Sequence, residues 1–394
     1  MQQILPFGHS ARLGRGTGRF IPSAPGRRSF LKGALAVGAF PFVGRAAPPA
    51  APDRLKFLFM ADHHVESDFV QSFGADKSKP VYECWKPGDH AALVETYRFI
   101  NEDPFCRDAS FALFGGDQIN TGYLSNADDL RAEMANYHRT LAALDLHSRT
   151  KGTDLSDMRF ASVPKFFCRG NLPRGCAPVE FTCRPPVSRV IAIQGNHDTG
   201  VGEFYRECAF TGGDVRFITF FASYVGLPAP KGQFRSTASI SDNAMDFIER
   251  EMSAAAADPS IRHIALVSHW AIAPGGTDFV CPILDACREN KMNDNRRRLL
   301  ALCERCGCDL YINGHEHNGK YPVAKAGPLS DVNCGTVTCE PGGRYCGAFA
   351  IVEILRRQAL FHVYSRAAVS PSGALEAPPR RLFTREIPLT PLRA

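Results

Sequence analysis

The chain has 394 residues, of which 44% are hydrophobic and 22% charged, a composition that indicates a folded protein and excludes a disordered one. Its net charge of +6 comes from the N-terminus, because residues 1–46 carry seven of the 46 basic side chains and no acidic one. The remaining 39 basic and 40 acidic residues nearly balance. This balance excludes a broad basic surface for nucleic acid, so we expect no nucleic-acid partner.

The first element in chain order is an export signal. Arg27 and Arg28 are followed by Ser-Phe-Leu-Lys, by an apolar run of small residues at 33–44 and by an Ala/Pro-rich stretch. This order is typical of a removable signal peptide, and the paired arginines resemble the bacterial twin-arginine signal. We therefore expect a signal peptide and N-terminal extension at 1–46, with the twin-arginine export machinery as partner of the precursor. The mature protein is then periplasmic or secreted, without a transmembrane anchor.

Short apolar runs that predict strands buried on both faces recur along the body of the chain. They lie at residues 55–60, 111–114, 190–193, 264–267 and 310–312. Apolar residues at helical spacing predict helices at 91–101, 128–146, 242–252 and 294–306. The alternation of strand and helix indicates an α/β core with mostly parallel strands.

The C-terminal part has a different pattern. Strand-like runs at 336–339, 349–354 and 360–364 have no helix between them, which predicts an antiparallel second sheet. The tail from residue 367, rich in Pro and Arg, is expected to be peripheral. We expect residues 47–394 to form a single domain, with loop insertions at about 148–188 and 199–240.

All 14 cysteines follow residue 46. An even number in an exported chain favours disulfides or buried thiols, and the pairing cannot be read from the sequence. The motif Cys303-x-x-Cys306-x-Cys308 has a redox pair or a thiolate metal site as alternatives. It lies at the end of a predicted helix, whereas a reactive thiol is expected at a helix N-terminus.

Side chains of metal-ligand types directly follow each of the five predicted strands. The blocks are Asp62-His63-His64, Gly116-Asp117, Gly195-Asn196-His197-Asp198, Ser268-His269 and Gly314-His315-Glu316-His317. Because the carboxyl ends of parallel strands lie along one edge of a sheet, we expect these blocks to meet. Each block alone is a weak signal, and His269 alone would more often be a core histidine. Together they predict a site of oxygen and nitrogen donors, which suit Mn, Fe, Zn, Ni or Co.

The ordered blocks D-x-H, G-D-x-x, G-N-H-[DE], an isolated H and G-H-x-H resemble the calcineurin-like metallophosphoesterase superfamily, over residues 55 to about 354. The resemblance implies an α/β fold, a four-layer α/β/β/α sandwich of two mixed sheets flanked by helices. It also implies two divalent transition-metal ions. One would be held by Asp62, His64, Asp117 and His317, and the other by Asp117, Asn196, His269 and His315, with Asp117 bridging.

The function implied by this resemblance is hydrolysis of a small-molecule phosphomonoester or phosphodiester by a metal-bridging hydroxide, with His197 as general acid. In this superfamily the phosphoprotein phosphatase branch carries Asp and the purple acid phosphatases carry Tyr three places after the bridging Asp, where this chain has Asn120. Asp198 is therefore the candidate to orient His197, or else it caps the following turn. His63 should point away from the metals on strand alternation, and Trp270 either lines the pocket or packs in the core.

Three alternatives remain open. They are a cyclic-nucleotide or phospholipid phosphodiesterase of the same superfamily, an inactive metal-binding protein, and a thiol-redox protein. The complete ligand set together with His197 argues against an inactive protein, and the position of the cysteine motif argues against redox function. The substrate, the metal identity and the oligomeric state cannot be read from the sequence.

Overall fold

Two mixed β-sheets face each other, and α-helices cover the outer surface of each sheet. A computed structural model describes residues 54–65, 91–120, 127–153, 155, 157–160, 165–167, 180–182, 186–198, 201, 203–227, 235–273, 283, 294–317, 320–335, 346–366 and 378–393. All of these residues belong to one compact unit, Ala50–Ala394. Within these ranges, no helix is long and apolar enough to span a membrane.

The elements follow in chain order. The strands are β1 (Arg54–Met60), β2 (Ala112–Phe114), β3 (Met158–Phe160), β4 (Lys165–Phe167), β5 (Glu180–Thr182), β6 (Val190–Ala192), β7 (Cys208–Gly212), β8 (Val215–Thr219), β9 (Ser223–Leu227), β10 (Arg235–Ser239), β11 (His263–Val267), β12 (Leu310–Asn313), β13 (Val323–Ala326), β14 (Leu329–Asn333), β15 (Cys346–Leu355), β16 (Gln358–Arg366) and β17 (Arg380–Pro388). The helices are α1 (Ala91–Glu102), α2 (Ala127–Leu141), α3 (Asp145–Ser148), α4 (Asp242–Ala257) and α5 (Asn295–Cys306). The predicted core strands and helices are confirmed, with the helix expected at 128–146 divided into α2 and α3.

The first sheet has the strand order β17-β16-β15-β1-β2-β6. Strands β1, β2 and β6 are parallel, and β15 pairs antiparallel with β1 from Arg54↔Leu355 to Phe59↔Ala350. The C-terminal strands therefore extend the first sheet, and the prediction of a separate antiparallel sheet there is wrong. The pairing of β15 with β1 joins the two ends of the domain, which no local pattern reveals. The run at 336–339 lies outside the described residues.

The second sheet has the strand order β13-β14-β12-β11-β8-β7-β3. Strands β14, β12, β11 and β8 are parallel, while β13, β7 and β3 are antiparallel to their neighbours. The hairpin of β7 and β8 lies inside this sheet, so the prediction of a loop insertion at 199–240 is wrong for residues 208–219. A tight turn at Gly213-Asp214, where Gly213 has φ 59°, is the local signal for this hairpin.

The space between the sheets is filled by apolar side chains from both. Phe57 and Phe59 of β1 point into it, and Phe57 stacks on Phe111 with ring centroids 5.1 Å apart. The alternate residues Leu58 and Met60 point to the opposite face, where α1 and α2 pack. Because both faces of β1 are buried, its residues from Phe57 to Met60 are apolar on both sides of the strand. The four-layer α/β/β/α architecture is thereby confirmed.

Helices α4 and α5 cover the second sheet. Helix α4 begins after Ser241, whose hydroxyl accepts a hydrogen bond from the Ala244 amide at 3.2 Å. Its residues Met245, Ile248 and Met252 lie on one face and are buried, as the helical spacing predicts. Helix α5 is followed by Gly307, which has the left-handed φ of 70° that favours glycine after a helix C-terminus.

The C-terminal tail is a part of the fold. Strand β17 forms the edge of the first sheet, and the Leu389 amide then donates to the Arg357 carbonyl at 2.8 Å. The Leu392 amide donates to the Arg262 carbonyl at 2.9 Å. Residues 380–388 are thus paired into the sheet, but they form its edge and are mostly exposed, so this part of the tail lies at the periphery as expected. Its charged composition is what an edge strand uses to avoid pairing with other chains.

Candidate metal centre

The polar blocks predicted to meet do so at one end of the two facing sheets. Asp62 and His64 follow β1, Asp117 follows β2 and Asn196 follows β6, all in the first sheet. His269 follows β11, while His315 and His317 follow β12, both in the second sheet. The site is therefore assembled from the carboxyl ends of strands in two sheets, whereas the strand pattern predicted a single sheet edge.

One group of potential ligands consists of Asp62, His64 and His317. The Nε2 atoms of His64 and His317 are 3.0 Å apart, and His317 Nε2 is 3.3 Å from Asp62 Oδ1. His64 Nε2 lies 3.9 Å from the same oxygen. Transition metals hold such donors at about 2.0–2.2 Å, so ligands of one ion are about 3–4 Å apart. The separations within this group fit that requirement.

A second group consists of Asp117, His269 and His315. His269 Nε2 lies 3.1 Å from both Asp117 Oδ2 and His315 Nδ1. The Asp117 carboxylate also lies near the first group, because its Oδ2 is 3.8 Å from His64 Nε2. Asp117 therefore lies between these two groups, which is the position that a bridging ligand requires, and it also forms a third possible group with His64 and His197.

Asn196 is held beside Asp117 through its chain neighbours. The Gly195 amide donates to Asp198 Oδ2 at 2.8 Å, and the His197 amide donates to Asp117 Oδ1 at 2.9 Å. A Cβ atom at Gly195 would lie 2.1 Å from Asp117 Oδ1. Glycine at this position therefore permits the close approach of the Asn196 loop to the Asp117 carboxylate.

The backbone of the site is strained. Positive φ angles occur at five of the predicted ligands: Asp62 (57°), His64 (45°), Asp117 (53°), His315 (71°) and His317 (51°). A left-handed conformation costs a residue with a side chain about 1–2 kcal/mol. Non-glycine residues in this region cluster at functional sites, where the rest of the fold enforces them. This strain indicates that the donor atoms are directed by function and not by backbone preference.

The donor atoms leave a place for a cation. His269 Nδ1 lies 2.9 Å from the Gly115 carbonyl, so it donates its proton there and Nε2 is directed at Asp117 and His315, where either a proton or a metal ion can bind it. Burial alone would lower the pKa of His269, but the Asp117 and Asp62 carboxylates outweigh it and raise the pKa to about 9. Lone pairs directed at one another in a buried site require a proton or a metal ion between them. The residues therefore fit a metal centre.

Two of the other ligand imidazoles, His64 and His315, are kept neutral, whereas the Asp62 carboxylate outweighs burial and raises the pKa of His317. Burial, followed by the charge of neighbouring histidines, holds the pKa values of His64 and His315 well below their usual range. Burial would raise the pKa of Asp117, but His269 and His197 hold it well below the usual range. Neutral imidazoles and an ionised carboxylate are the protonation states that bind metals.

His197 lies at the open side of the centre. Its side chain is 36% exposed and its Nε2 is 3.9 Å from Asp117 Oδ2. Its Nδ1 hydrogen-bonds to the backbone carbonyl of Asn120. The backbone carbonyl of Asn120 thus orients the ring. Sequence reasoning could not find this partner, because every residue type has a backbone carbonyl.

Asp198 does not orient the ring of His197. Its carboxylate accepts hydrogen bonds from the amides of Gln118 and Ile119 on one oxygen, and from the amide of Gly195 on the other. Burial, followed by the nearby charge of Asp117, raises its pKa to about 8. Asp198 therefore fastens the loop after β2 to the loop after β6, and the interpretation of Asp198 as the group that orients His197 is corrected.

Two further residues are placed by the structure. His63 is buried and packs on Phe114 with ring centroids 4.4 Å apart, on the face of β1 that α1 and α2 cover. Trp270 is fully buried among the side chains under α4 and α5, and its ring lies 3.8 Å from that of His315. His63 thus points away from the centre, and Trp270 supports His315 instead of lining an open pocket.

The cysteine motif is buried apart from this centre. Six cysteines of the described residues, including the three of the motif, are free and buried. Burial raises the pKa of Cys303 well above its usual value, and the Cys308 thiol donates to the Ile264 carbonyl at 3.3 Å. Reactive thiols have lowered pKa values, so this arrangement opposes the thiol-redox alternative.

The family is decided by a match between residues 55–319 and the model of the calcineurin-like phosphoesterase family. The chain belongs to the calcineurin-like phosphoesterase family. The matched residues include every predicted metal ligand. No curated protein sequence matches the chain.

Solved structures resemble this phosphoesterase at low identity. The structure of PhoD has 9% identity, with 87% of this chain and 71% of that chain covered and a TM-score of 0.43. GAP50, described as the anchor in the inner membrane complex of Plasmodium, has 13% identity, with 86% of this chain and 89% of that chain covered and a TM-score of 0.40. A 5'-nucleotidase precursor from Thermus thermophilus has 13% identity, with 86% of this chain and 54% of that chain covered and a TM-score of 0.32.

Proposed function

We propose that this phosphoesterase hydrolyses a phosphomonoester or phosphodiester of a small molecule at a centre of two divalent metal ions. The observation that carries the proposal is the convergence of carboxylate and imidazole donors from successive strand ends, at separations of 3.0–3.9 Å. The coordinating residues would be Asp62, His64, Asp117 and His317 for one ion, and Asp117, Asn196, His269 and His315 for the other.

When bound, two divalent ions neutralise the charge of a phosphate group and make a water molecule acidic enough to attack it. The protein supplies the positions of the donors. Asp62 and Asp117 contribute two negative charges and the imidazoles are neutral, so the loaded site keeps a net positive charge that favours an anionic substrate. The surplus of charge is therefore local, although the body of the chain is nearly neutral.

His197 would donate the proton to the leaving oxygen. Its Nδ1–H is held by the Asn120 carbonyl, so Nε2 is directed to the centre and is reached from solvent. A positioned general acid contributes about 100-fold or more to the rate, and the contribution grows as the leaving group becomes a poorer one. Esters of weakly acidic alcohols therefore depend most on His197.

The experiment compares metal content and turnover in the full chain and three variants. Asp117→Asn should lose bound metal and hydrolysis together, because Asp117 lies between the two ligand groups. His197→Asn should keep its metal and lose rate chiefly with poor leaving groups. Asp157→Asn is the matched control, because its side chain is 61% exposed and pairs with Arg189.

The substrates are a series of aryl and alkyl phosphate monoesters and diesters. Hydrolysis of only one series distinguishes phosphatase from phosphodiesterase activity, including the cyclic-nucleotide and phospholipid alternatives. Two bound ions without turnover of any ester would support the inactive metal-binding protein instead. Equal turnover in wild type, Asp117→Asn and His197→Asn would overturn the mechanism.

A further inference from the structure

A buried carboxylate behind the centre connects two of the loops that carry its histidines. Asp331 lies in β14 with its side chain fully buried. Its Oδ2 accepts hydrogen bonds from the amides of Ile272 and Ala273, at 2.8 and 2.7 Å. Its Oδ1 accepts from the side-chain amide of Asn313. Asp331 therefore holds the segment just after His269 and the residue two places before His315.

The hydrogen bonds of this network run in one direction. The Asn333 side-chain amide donates to the Asn313 Oδ1 at 2.5 Å and to the Gly314 carbonyl at 2.6 Å. Asn313 then donates to Asp331, while the amides of Ile272 and Ala273 donate from the other side. A backbone carbonyl fixes one end of the network and backbone amides fix the other. No rotation of an asparagine amide reverses it.

Only a group that accepts on both oxygens fits between these donors. An amide at position 331 would present its NH2 either to the Ile272 and Ala273 amides or to the Asn313 amide. If the Asn313 amide rotated by 180°, its NH2 would face the NH2 of Asn333. Asn333 cannot rotate in turn, because its NH2 must donate to the Gly314 carbonyl. Burial raises the pKa of Asp331 to about 7, against the backbone amides and Asn313, which lower it. The fold keeps a carboxylate in an unfavourable environment at this point.

We propose that Asp331 is a positioning residue of the metal centre, which aligns His269 with His315 by fastening the loop after β11 to the loop after β12. This inference rests on the proposed function. Two further hydrogen bonds connect the same segments. The Gly314 amide donates to the His269 carbonyl at 3.1 Å, and the Tyr311 hydroxyl donates to the Trp270 carbonyl at 2.6 Å. Asp331 differs from these in being the acceptor for both loops.

The network makes a specific prediction about a pair of substitutions. In Asp331→Asn, donors face each other and the loops separate. Adding Asn313→Asp moves the carboxylate from position 331 to position 313. There it accepts hydrogen bonds from Asn333 and from the new amide at 331. That amide can then turn its oxygen to the Ile272 and Ala273 amides. The double variant therefore restores the hydrogen bonds to Asn333, Ile272 and Ala273 and loses only the longer one, of 3.3 Å, from the Asn313 amide to the Val332 carbonyl. A side chain that only fills space would not require this restoration.

The test measures binding of Co²⁺ by calorimetry and by its visible absorption in the full chain. Loss of an outer partner of metal ligands typically lowers affinity about 10–100-fold, so Asp331→Asn should weaken at least one site by about tenfold. The Asp331→Asn/Asn313→Asp variant should return to within about threefold of wild type and recover its absorption spectrum. Ser330→Ala, at the adjacent buried position that accepts from Lys325, is the control and should bind as wild type.

Each outcome decides the matter. A folded Asp331→Asn with wild-type affinity at both sites rejects the inference, as does a double variant that stays as weak as the single one. If Asp331→Asn does not fold, the double variant alone decides: wild-type binding supports the network and a second failure rejects it. If the wild-type chain binds no metal, the proposed function itself fails, which separates the two conclusions.

Discussion

Gly195→Ala is the smallest change that should disable the centre. The added Cβ would lie 2.1 Å from Asp117 Oδ1 and 2.4 Å from the Asp117 amide nitrogen. Ordinary contacts of a Cβ begin at 3.4 Å, so the carboxylate must move away by roughly 1 Å. Both atoms belong to a tightly held loop, because Asp117 Oδ1 also accepts from the His197 amide. The overlap therefore cannot be relieved by rotation of a flexible side chain.

The size of the effect follows from the position of Asp117. A misplacement of about 1 Å at an active site costs about 100-fold in rate, which corresponds to about 3 kcal/mol of transition-state stabilisation. Because Asp117 lies between the two ligand groups, we expect both ions to be bound more weakly. Gly195→Ala should therefore lose about 100-fold or more in kcat/KM together with metal content.

The assay combines metal analysis, circular dichroism and hydrolysis of a chromogenic phosphate ester. Gly152→Ala is the control, because a Cβ there meets no atom within 4 Å. It should keep its metal and activity, although its φ of 77° makes alanine less stable there. A folded Gly195→Ala protein with two bound ions and activity within about twofold of wild type would refute the steric argument.

Three further predictions concern other parts of the chain. Burial raises the pKa of Glu207 to about 7 from 4.5, so its contribution to stability is present below pH 4.5 and is lost as the pH rises to 7. The free energy of unfolding should fall by about 3 kcal/mol over this pH range in the wild type, but not in Glu207→Gln, when both are unfolded in urea. Wild-type and variant unfolding free energies that change in parallel with pH would contradict this prediction. In His197→Asn, the logarithm of the rate should depend more steeply on leaving-group pKa than in wild type, and equal slopes would exclude a general acid. Lysines in place of Arg27 and Arg28 should leave the precursor in the bacterial cytoplasm, whereas unchanged export in cell fractions would argue against a twin-arginine signal.

The place where the candidate donor residues meet could be predicted because each lies two to four residues after a buried strand. Runs such as 57–60 are apolar on both faces, and the polar residues that follow them lie where the sheet ends. Asp62, Asp117 and His269 are all found at that position in the structure. Local sequence therefore specified which side chains would gather, without specifying how the strands pair.

The division of these strands between two sheets could not be predicted. It depends on β15 pairing with β1 and on the β7–β8 hairpin beside β11, which are contacts between distant segments. A strand that is apolar on both faces carries no mark of its neighbour. The four layers could therefore be predicted only through the resemblance to a family.

The groups that orient the ligands could not be predicted from the sequence either. The Asn120 carbonyl orients His197 and the Gly115 carbonyl orients His269, and neither depends on the residue type. Asp331 lies in a short strand and has no motif around it. Its role is visible only once the three donors that face it are placed, because hydrogen-bond direction is a property of the folded network.

The metal content of the purified full chain tests the central claim most directly. After incubation with a divalent transition metal and removal of the excess, we expect two ions for each chain in the wild type and a loss of both in Asp117→Asn, because this carboxylate lies between the two ligand groups. A wild-type chain that is folded and retains no ion, or an Asp117→Asn chain that retains the same two ions, would contradict the account.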